Sequence, residues 1–339
     1  MKIDRVHFYT RDAAKTKDWF IDKIGFKAIA CQQNQHTHTE IITLNSACLV
    51  FSSPLNSESP VAKYLDSHPT GVADVAFRVR DLQSIIDRAN YLGLDILQPL
   101  QICHSDRGTY RSAKIRGWNN LQHTLIEETN KIQPQQISDS YITDIDHIVL
   151  NVAAGQLTSA VKLYQTLFGF KIQQSFDIQT ETSGLYSQAL IDDSQQVQFN
   201  INEPTSGNSQ IQEFIDRNNG SGIQHLALRS QNLIADVARM QQNNLTFLNI
   251  PQSYYTQLKQ RINLSTEEWQ AIAREQILVD RDSSKPQSLL MQVFTQPIFE
   301  QPTFFLEFIE RRQEAGGFGR GNFKALFEAV EREAKSRIL

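Results

Sequence analysis

No stretch of this chain approaches the ~18 consecutive apolar residues that a membrane-spanning helix requires. Its opening residues, Met1-Lys2-Ile3-Asp4-Arg5-Val6-His7-Phe8, lack the apolar centre of a secretory signal and read directly as a strand. Cysteine is scarce: Cys31, Cys48 and Cys103 are odd in number and far apart. That pattern argues against a disulfide framework or a zinc site and fits reduced thiols, used for packing, in a cytoplasmic protein. A run of Lys and Arg interleaved with aromatics is also missing, and the formal net charge is −4. Nucleic acid and anionic membrane are therefore poor partners, and a small molecule is the expected one. The one glycine-rich segment, Gly316-Gly317-Phe318-Gly319-Arg320-Gly321, departs from dinucleotide spacing and opens the last helical stretch instead of a βαβ unit, so it does not read as a phosphate loop.

What the chain does have is internal repetition. At 339 residues, 40% of them apolar, it exceeds one ordinary compact domain and suits two. Ile3-Asp4-Arg5-Val6-His7-Phe8, an amphipathic stretch through Trp19-Phe20 and the close Ile24-Gly25-Phe26-Lys27 have counterparts later in the chain. These are Ile145-Asp146-His147-Ile148-Val149-Leu150, a stretch through Leu163-Tyr164, and Phe168-Gly169-Phe170-Lys171. Each copy reads as strand, helix, then a Gly-Phe-Lys turn into the next strand. Gly71-Val72-Ala73-Asp74-Val75-Ala76-Phe77-Arg78 likewise matches Gly222-Ile223-Gln224-His225-Leu226-Ala227-Leu228-Arg229. The expected fold class is α+β, with two domains of paired βαβββ modules, residues 1–130 and 141–339. The boundary lies in residues 128–140, which are polar, contain Pro134 and show no periodicity. The second half alone carries an insertion, in which Leu264-Ser265-Thr266-Glu267-Glu268-Trp269 predicts a short helix capped by Ser265 or Thr266.

Three segments of the second half each set one metal-ligand residue in an otherwise apolar, strand-like run. They are His147 in Ile145-Asp146-His147-Ile148-Val149, His225 in Gly222-Ile223-Gln224-His225-Leu226-Ala227-Leu228, and Glu307 in Phe304-Phe305-Leu306-Glu307-Phe308-Ile309. Burying an imidazole or carboxylate is costly unless something pairs with it. A single such histidine is ordinarily a satisfied core residue, but the combination is a ligand set. The three are too far apart for a zinc finger or an HExxH helix, so they would converge through tertiary structure. The repeat supplies an internal control: the counterparts of His147, His225 and Glu307 are Arg5, Asp74 and Thr124, and none keeps its ligand. We therefore assign the metal to the second half and a structural role to the first. Two histidines and one carboxylate form the facial triad that leaves three octahedral positions open on a non-haem Fe(II).

These segments, with Ile201-Asn202-Glu203-Pro204, Asn208-Ser209-Gln210-Ile211-Gln212, Ile277-Leu278-Val279-Asp280-Arg281-Asp282 and Leu289-Leu290-Met291-Gln292-Val293-Phe294-Thr295, resemble the 4-hydroxyphenylpyruvate dioxygenase family of the vicinal-oxygen-chelate superfamily. The most specific piece is the tail, Gly316-Gly317-Phe318-Gly319-Arg320-Gly321-Asn322-Phe323-Lys324-Ala325-Leu326-Phe327-Glu328, and the resemblance covers nearly the whole chain. It implies a vicinal-oxygen-chelate fold whose second half curls as an open barrel around Fe(II), with His147, His225 and Glu307 as ligands. It implies catalytic roles for Gln224, Gln292 and Phe294, and substrate contacts from Ser187, Asn202, Gln210, Phe305, Phe318, Asn322 and Phe323. Asn200 departs from the pattern, standing where the family often has Pro, and the connection from Arg311-Arg312 to Gly316 is short.

The implied reaction converts 4-hydroxyphenylpyruvate and O2 to homogentisate and CO2 by oxidative decarboxylation, ring hydroxylation and side-chain migration. The substrate's own 2-oxo acid makes a separate 2-oxoglutarate unnecessary. The implied protein is a cytoplasmic homo-oligomer, dimer or tetramer, serving tyrosine catabolism or the supply of homogentisate for quinones and tocopherols. Two alternatives stay open: 4-hydroxymandelate synthase, with the same fold and substrate, and a non-enzymatic metal-dependent binding protein. Asn202 and Phe294 favour the dioxygenase, and the intact triad argues against the binding protein.

Read without the family, strand alternation places Gln198, Asn200 and Asn202 on one face, Gln292 with Phe294, and Phe305 with Glu307. Gln198 reads equally as solvated or pocket-facing, whereas Asn202, beside apolar Ile201, reads as a pocket residue. Gln224 points away from His225 in a regular strand and toward its side only across a bulge. Asn322 has the chemistry of an N-cap for a final helix with Phe323, Leu326, Phe327 and Val330 on one stripe. That helix is either simply docked or a lid presenting Phe318 and Phe323 to an aromatic substrate.

Overall fold

The computed structural model describes residues 1–105, 108–128, 140–179, 184–260, 262–281, 285, 287–323 and 325. The first half runs β1 (Lys2–Tyr9), α1 (Ala13–Ile24), β2 (Lys27–Gln33), β3 (Thr37–Leu44), β4 (Ala47–Pro54) and α2 (Pro60–Leu65). It then repeats the plan with β5 (Gly71–Arg78), α3 (Leu82–Tyr91), β6 (Ile96–Ser105), β7 (Gly108–Arg116) and β8 (Gln122–Glu128). The second half opens with β9 (Ile142–Asn151), α4 (Leu157–Phe168), β10 (Lys171–Gln179), β11 (Gly184–Ile191), β12 (Gln198–Pro204) and α5 (Gln210–Asn218). It continues with β13 (Gly222–Ser230), α6 (Leu233–Gln242), the inserted α7 (Gln252–Leu258) and α8 (Thr266–Arg274), then β14 (Leu278–Asp280), β15 (Leu289–Phe294) and β16 (Phe305–Arg312).

Local chemistry explains where these elements stop. Asp12 caps α1 by accepting from the Lys15 amide, and Gly25 ends it at φ +98°, a left-handed conformation that glycine adopts without penalty. Gly169 ends α4 the same way at φ +74°, so the repeated Gly-Phe-Lys motif is a helix stop followed by a strand start. Of the two candidate caps for α8, Ser265 is the one used, its side chain accepting from the Glu268 amide at 3.1 Å.

The strands form two curled eight-stranded sheets with the same order, β2-β3-β4-β1-β5-β8-β7-β6 and β10-β11-β12-β9-β13-β16-β15-β14. Each is built from two βαβββ modules, as the repeat implies, in the vicinal-oxygen-chelate fold. One apolar cluster runs through both halves, from Phe8, Phe20 and Phe51 to Tyr164, Phe199, Phe304 and Phe308. The contact is close enough for Phe8 and Phe304 to meet edge to face at 5.1 Å between ring centres. No helix among the described residues is long and apolar enough to cross a membrane. The three cysteines form no disulfide among the described residues, and Cys31 is exposed on edge strand β2, so the packing role expected of cysteine fails there.

Strand register bears out the correspondence between the halves. Arg5 lies opposite Ala76, as His147 lies opposite Ala227. Glu307 pairs with Ala227 on β13, and Thr124 takes the matching place between Gln122, opposite Asp74, and Leu125, opposite Phe77. Where the second half gathers metal donors, the first holds buried Asp74 against the Lys114 ammonium at 3.0 Å, with the Thr124 amide donating to it at 2.9 Å. A cation fixed to the chain stands there in place of a bound one.

Candidate metal centre

Three central strands of the second sheet bring His147 (β9), His225 (β13) and Glu307 (β16) to one point, their donor atoms all within 4.8 Å of one another. Glu307 Oε2 lies 3.1 Å from His147 Nε2 and 3.5 Å from His225 Nε2. The remaining atoms of two ligands are already engaged. His147 Nδ1 donates to Asp146 Oδ1 at 2.9 Å, which leaves Nε2 with its lone pair for a cation. Gln292 Nε2 donates to Glu307 Oε1 at 2.9 Å, which leaves Oε2 as the free carboxylate oxygen. Two imidazole nitrogens and one carboxylate oxygen, each turned inward, fit a divalent metal.

Electrostatics say the same. Burial alone would raise Glu307, but the His147 charge beside it holds the carboxyl down at about 2. Burial would lower His147, but the Glu307 and Asp146 carboxylates drive it up to about 9. Burial lowers His225, against the opposing pull of Glu307. Without a metal, the pocket keeps its negative charge balanced by a proton on His147. Among the described residues a second donor group, Cys31, His38 and Glu40, lies on the first sheet, but the Lys17 ammonium stands 3.4 Å from Glu40 and already offsets its charge.

Two β-bulges shape this site. Between β9 and β13 the register passes from His147↔Ala227 to Ile145↔Leu228, so Asp146 is an extra residue and turns to the same side as His147. The register also passes from Ile223↔Leu150 to His225↔Val149, which makes Gln224 an extra residue and brings it into the pocket beside His225. The first sheet has both bulges, at Asp4 and Ala73, so they belong to the repeat and the second half adapts them. Asp146 is buried at 1% exposure and held well below the usual carboxylate range; burial opposes this, and Arg311 and His147 achieve it. Asp4 with Arg78 repeats the pairing of Asp146 with Arg229, and this pair kept in both copies is the signal by which the sequence could have disclosed Asp146.

The pocket is lined by His147, His225 and Glu307 together with Ser187, Asn202, Gln210, Gln224, Gln292, Phe294, Phe305, Phe318 and Phe323. All the sequence-derived site residues therefore converge except Asn322, which stands one step back. Ser187 and Asn202 are direct partners across β11 and β12, and Asn202 Nδ2 donates to Asn151 Oδ1 at 3.2 Å. Phe305 stacks on His225 at 4.8 Å between ring centres, and Phe318 meets His147 edge-on at 5.2 Å. Val149, Ile178, Leu185, Asn200 and Ile211 also line the pocket and were not anticipated. Asn200 was singled out only for its departure from the family pattern, although its alternation with Asn202 put it on the same face. Gln198, left between two readings, is buried and donates toward Asp146 at 3.5 Å, behind the metal site.

The tail departs from the sequence reading in one respect. Asn322 is expected to cap a helix, yet its carboxamide bridges two other side chains. Its Nδ2 donates to Gln292 Oε1 at 2.9 Å, and its Oδ1 accepts from Tyr254 Oη at 2.8 Å. Tyr254 comes from inserted α7, so the insertion braces the tail against the pocket. Leu326, Phe327 and Val330 of the expected stripe lie outside the described residues. The glycines serve close approach: Gly319 sits at φ +74°, and any Cβ there would collide with Gln292 Oε1.

Two curled sheets of paired βαβββ modules, one of them carrying an inward-facing His-His-Glu set, define a vicinal-oxygen-chelate protein. A family model described as the Glyoxalase/Bleomycin resistance protein/Dioxygenase superfamily matches residues 144–268. An uncharacterized protein of Synechocystis sp. is 35% identical over 98% of this chain and 97% of its own. The 4-hydroxyphenylpyruvate dioxygenase of Dictyostelium discoideum is 33% identical over 98% of both chains. A solved mutant of 4-hydroxymandelate synthase from Streptomyces coelicolor superposes with a TM-score of 0.89 at 25% identity, over 98% of each chain. The chain belongs to the 4-hydroxyphenylpyruvate dioxygenase family.

Proposed function

We propose that this protein is an Fe(II)-dependent enzyme that converts 4-hydroxyphenylpyruvate and O2 to homogentisate and CO2. The observation that carries the reading is the inward-facing His147, His225 and Glu307 set in a pocket that aromatic rings line together with amide and hydroxyl side chains. We also propose residues 1–130 as a structural domain and 141–339 as the catalytic one, acting in a cytoplasmic homo-oligomer.

Fe(II) held by those three residues would supply dioxygen activation for the oxidative decarboxylation of a chelating 2-oxo acid. The chain's own work is placement. Phe294, Phe305, Phe318 and Phe323 sandwich the ring, while Ser187, Asn202 and Gln210 offer hydrogen bonds to the phenol hydroxyl. Gln224 and Gln292 flank the ligands, and Gln292 orients Glu307 while its carbonyl accepts from Asn322. Phe318 and Phe323 of the tail line the pocket beside the ligands, so the position of the tail would govern substrate entry and the exclusion of water.

The test is aerobic incubation with Fe(II) and 4-hydroxyphenylpyruvate, following O2, CO2 and product together. Equal O2 uptake and CO2 release with homogentisate as main product is expected. Phenylpyruvate should react more poorly, because each buried polar group left without its partner costs about 1–3 kcal/mol. The second reading, 4-hydroxymandelate synthase, is favoured by the 0.89 TM-score to that enzyme's fold and would declare itself by 4-hydroxymandelate as product. Absence of O2 uptake with iron bound would remove both enzymes and point to an extradiol-type or binding-only relative.

A further inference from the structure

Arg311, at the end of β16, is buried yet belongs to none of the roles assigned above. Its guanidinium faces two ways. Nε and Nη2 donate to the two oxygens of Asp146, at 2.9 and 2.7 Å. Nη1 donates to the carbonyls of Gly317 at 2.7 Å and Ala315 at 3.1 Å. The same group lies 6.0 Å from the centre of the Phe318 ring. Asp146 in turn accepts from Nδ1 of His147, and Phe318 lies edge-on to that imidazole. A closed circuit results: ligand, carboxylate, guanidinium, tail backbone, and Phe318 back onto the ligand.

We propose that Arg311 is a positioning residue that ties the closed tail to the orientation of His147, so that shutting the pocket and completing the ligand set are one event. The inference rests on the metal reading given above. Its physical basis is that a planar guanidinium distributes its donors in a rigid fork, which two different acceptors can occupy only in one relative placement. Swinging Gly317 and Phe318 outward removes acceptors from a buried cation and leaves Asp146 as its remaining anchor. Arg229 also donates to Asp146, at 2.8 Å, so the carboxylate keeps a partner while the tail moves. Beyond Arg311 a cleft of about 460 Å³, bordered by Gly316, Gly317, Gln198 and Arg229, gives the segment open space to move into. In the first sheet Asp4 keeps its arginine, Arg78, but Arg5, which also donates to it, stands in the place of the ligand histidine.

The test uses the full chain and Co(II) as a spectroscopic stand-in, measuring metal affinity from the Co(II) absorption and tail mobility from trypsin cleavage after exposed Arg320. In the unchanged chain, bound Co(II) should slow that cleavage. In Arg311→Met, affinity should fall on the order of 10- to 100-fold and saturating Co(II) should no longer protect the tail. Arg311→Lys separates the proposal from a general folding role. An ammonium can pair with Asp146 but lacks the planar fork that also holds the tail carbonyls, so with the charge and the fold kept, affinity and tail protection should still fall together. Wild-type protection in Arg311→Met, or wild-type affinity in Arg311→Lys while cleavage stays fast, would overturn the coupling. Failure of the unchanged chain to take up Co(II) would overturn the metal reading and the inference with it.

Discussion

Glu307 and Thr124 occupy the same place in the two sheets and make opposite predictions. Glu307→Ala removes the only anionic ligand, and with it turnover and tight metal binding, while the sheet around it persists; retained iron and near-normal activity would refute the metal assignment. Thr124→Ala should leave turnover unchanged. The sequence alone suggests that it does nothing further, but Thr124 holds buried Asp74 through both its amide and its hydroxyl. Losing the hydroxyl should therefore cost about 1–3 kcal/mol in chemical denaturation. Gly319 gives a third residue-scale expectation. Gly319→Ala forces an L side chain into a left-handed conformation and against Gln292, the residue that orients Glu307. Activity should fall at least tenfold with a much smaller loss of thermal stability, and equal activity would show that Gln292 has freedom to yield.

Elements were legible where periodicity and punctuation agree, and illegible where backbone irregularity decides. The strand-helix-Gly-Phe-Lys repeat disclosed the first module of each half, and inserted α8 was foreseen from its capping pattern. The bulges at Asp146 and Gln224 were not, because an extra residue leaves no mark on a pattern of alternation and its effect appears only in the partner strand's register. That is why Gln224 carried two opposed readings and Asp146 none. The tail was half legible: its aromatic residues were assigned to the pocket, but Asn322 was given a substrate contact and a local cap, because its partners, Gln292 and Tyr254, are remote in sequence. This element carries its own prediction. Ending the chain before Gly316 removes Phe318, Asn322 and Phe323 from a pocket whose sheet is complete without them, so activity should be lost while the far-UV circular dichroism and melting cooperativity remain. Joint loss of both would mean that the tail is structural cladding instead of a lid.

At the scale of the whole molecule, repetition made the two sheets readable but said nothing about how they meet. The join includes His123 of β8, fully buried, donating from Nδ1 to the Val75 carbonyl and accepting at Nε2 from Tyr164 Oη of α4 at 3.0 Å. Nothing in the sequence distinguishes this histidine from a fourth metal ligand; only the tertiary contact does. Burial lowers its pKa from 6.5 to about 4, so the native state keeps it neutral. The unfolded chain takes up a proton near pH 6.5, and the folded chain does not until about pH 4. His123 therefore has no effect on the pH dependence of stability above 6.5, and destabilises progressively as the pH falls from there towards 4. The full loss is about 3 kcal/mol, from 1.36 kcal/mol per pKa unit. His123→Gln cannot titrate and can still donate and accept, so it should lose less stability over that interval than the unchanged chain. Denaturation midpoints at pH 7.5, 5.5 and 4.5 for both proteins measure the difference. Parallel acid profiles would mean that the join between the sheets opens before His123 is protonated.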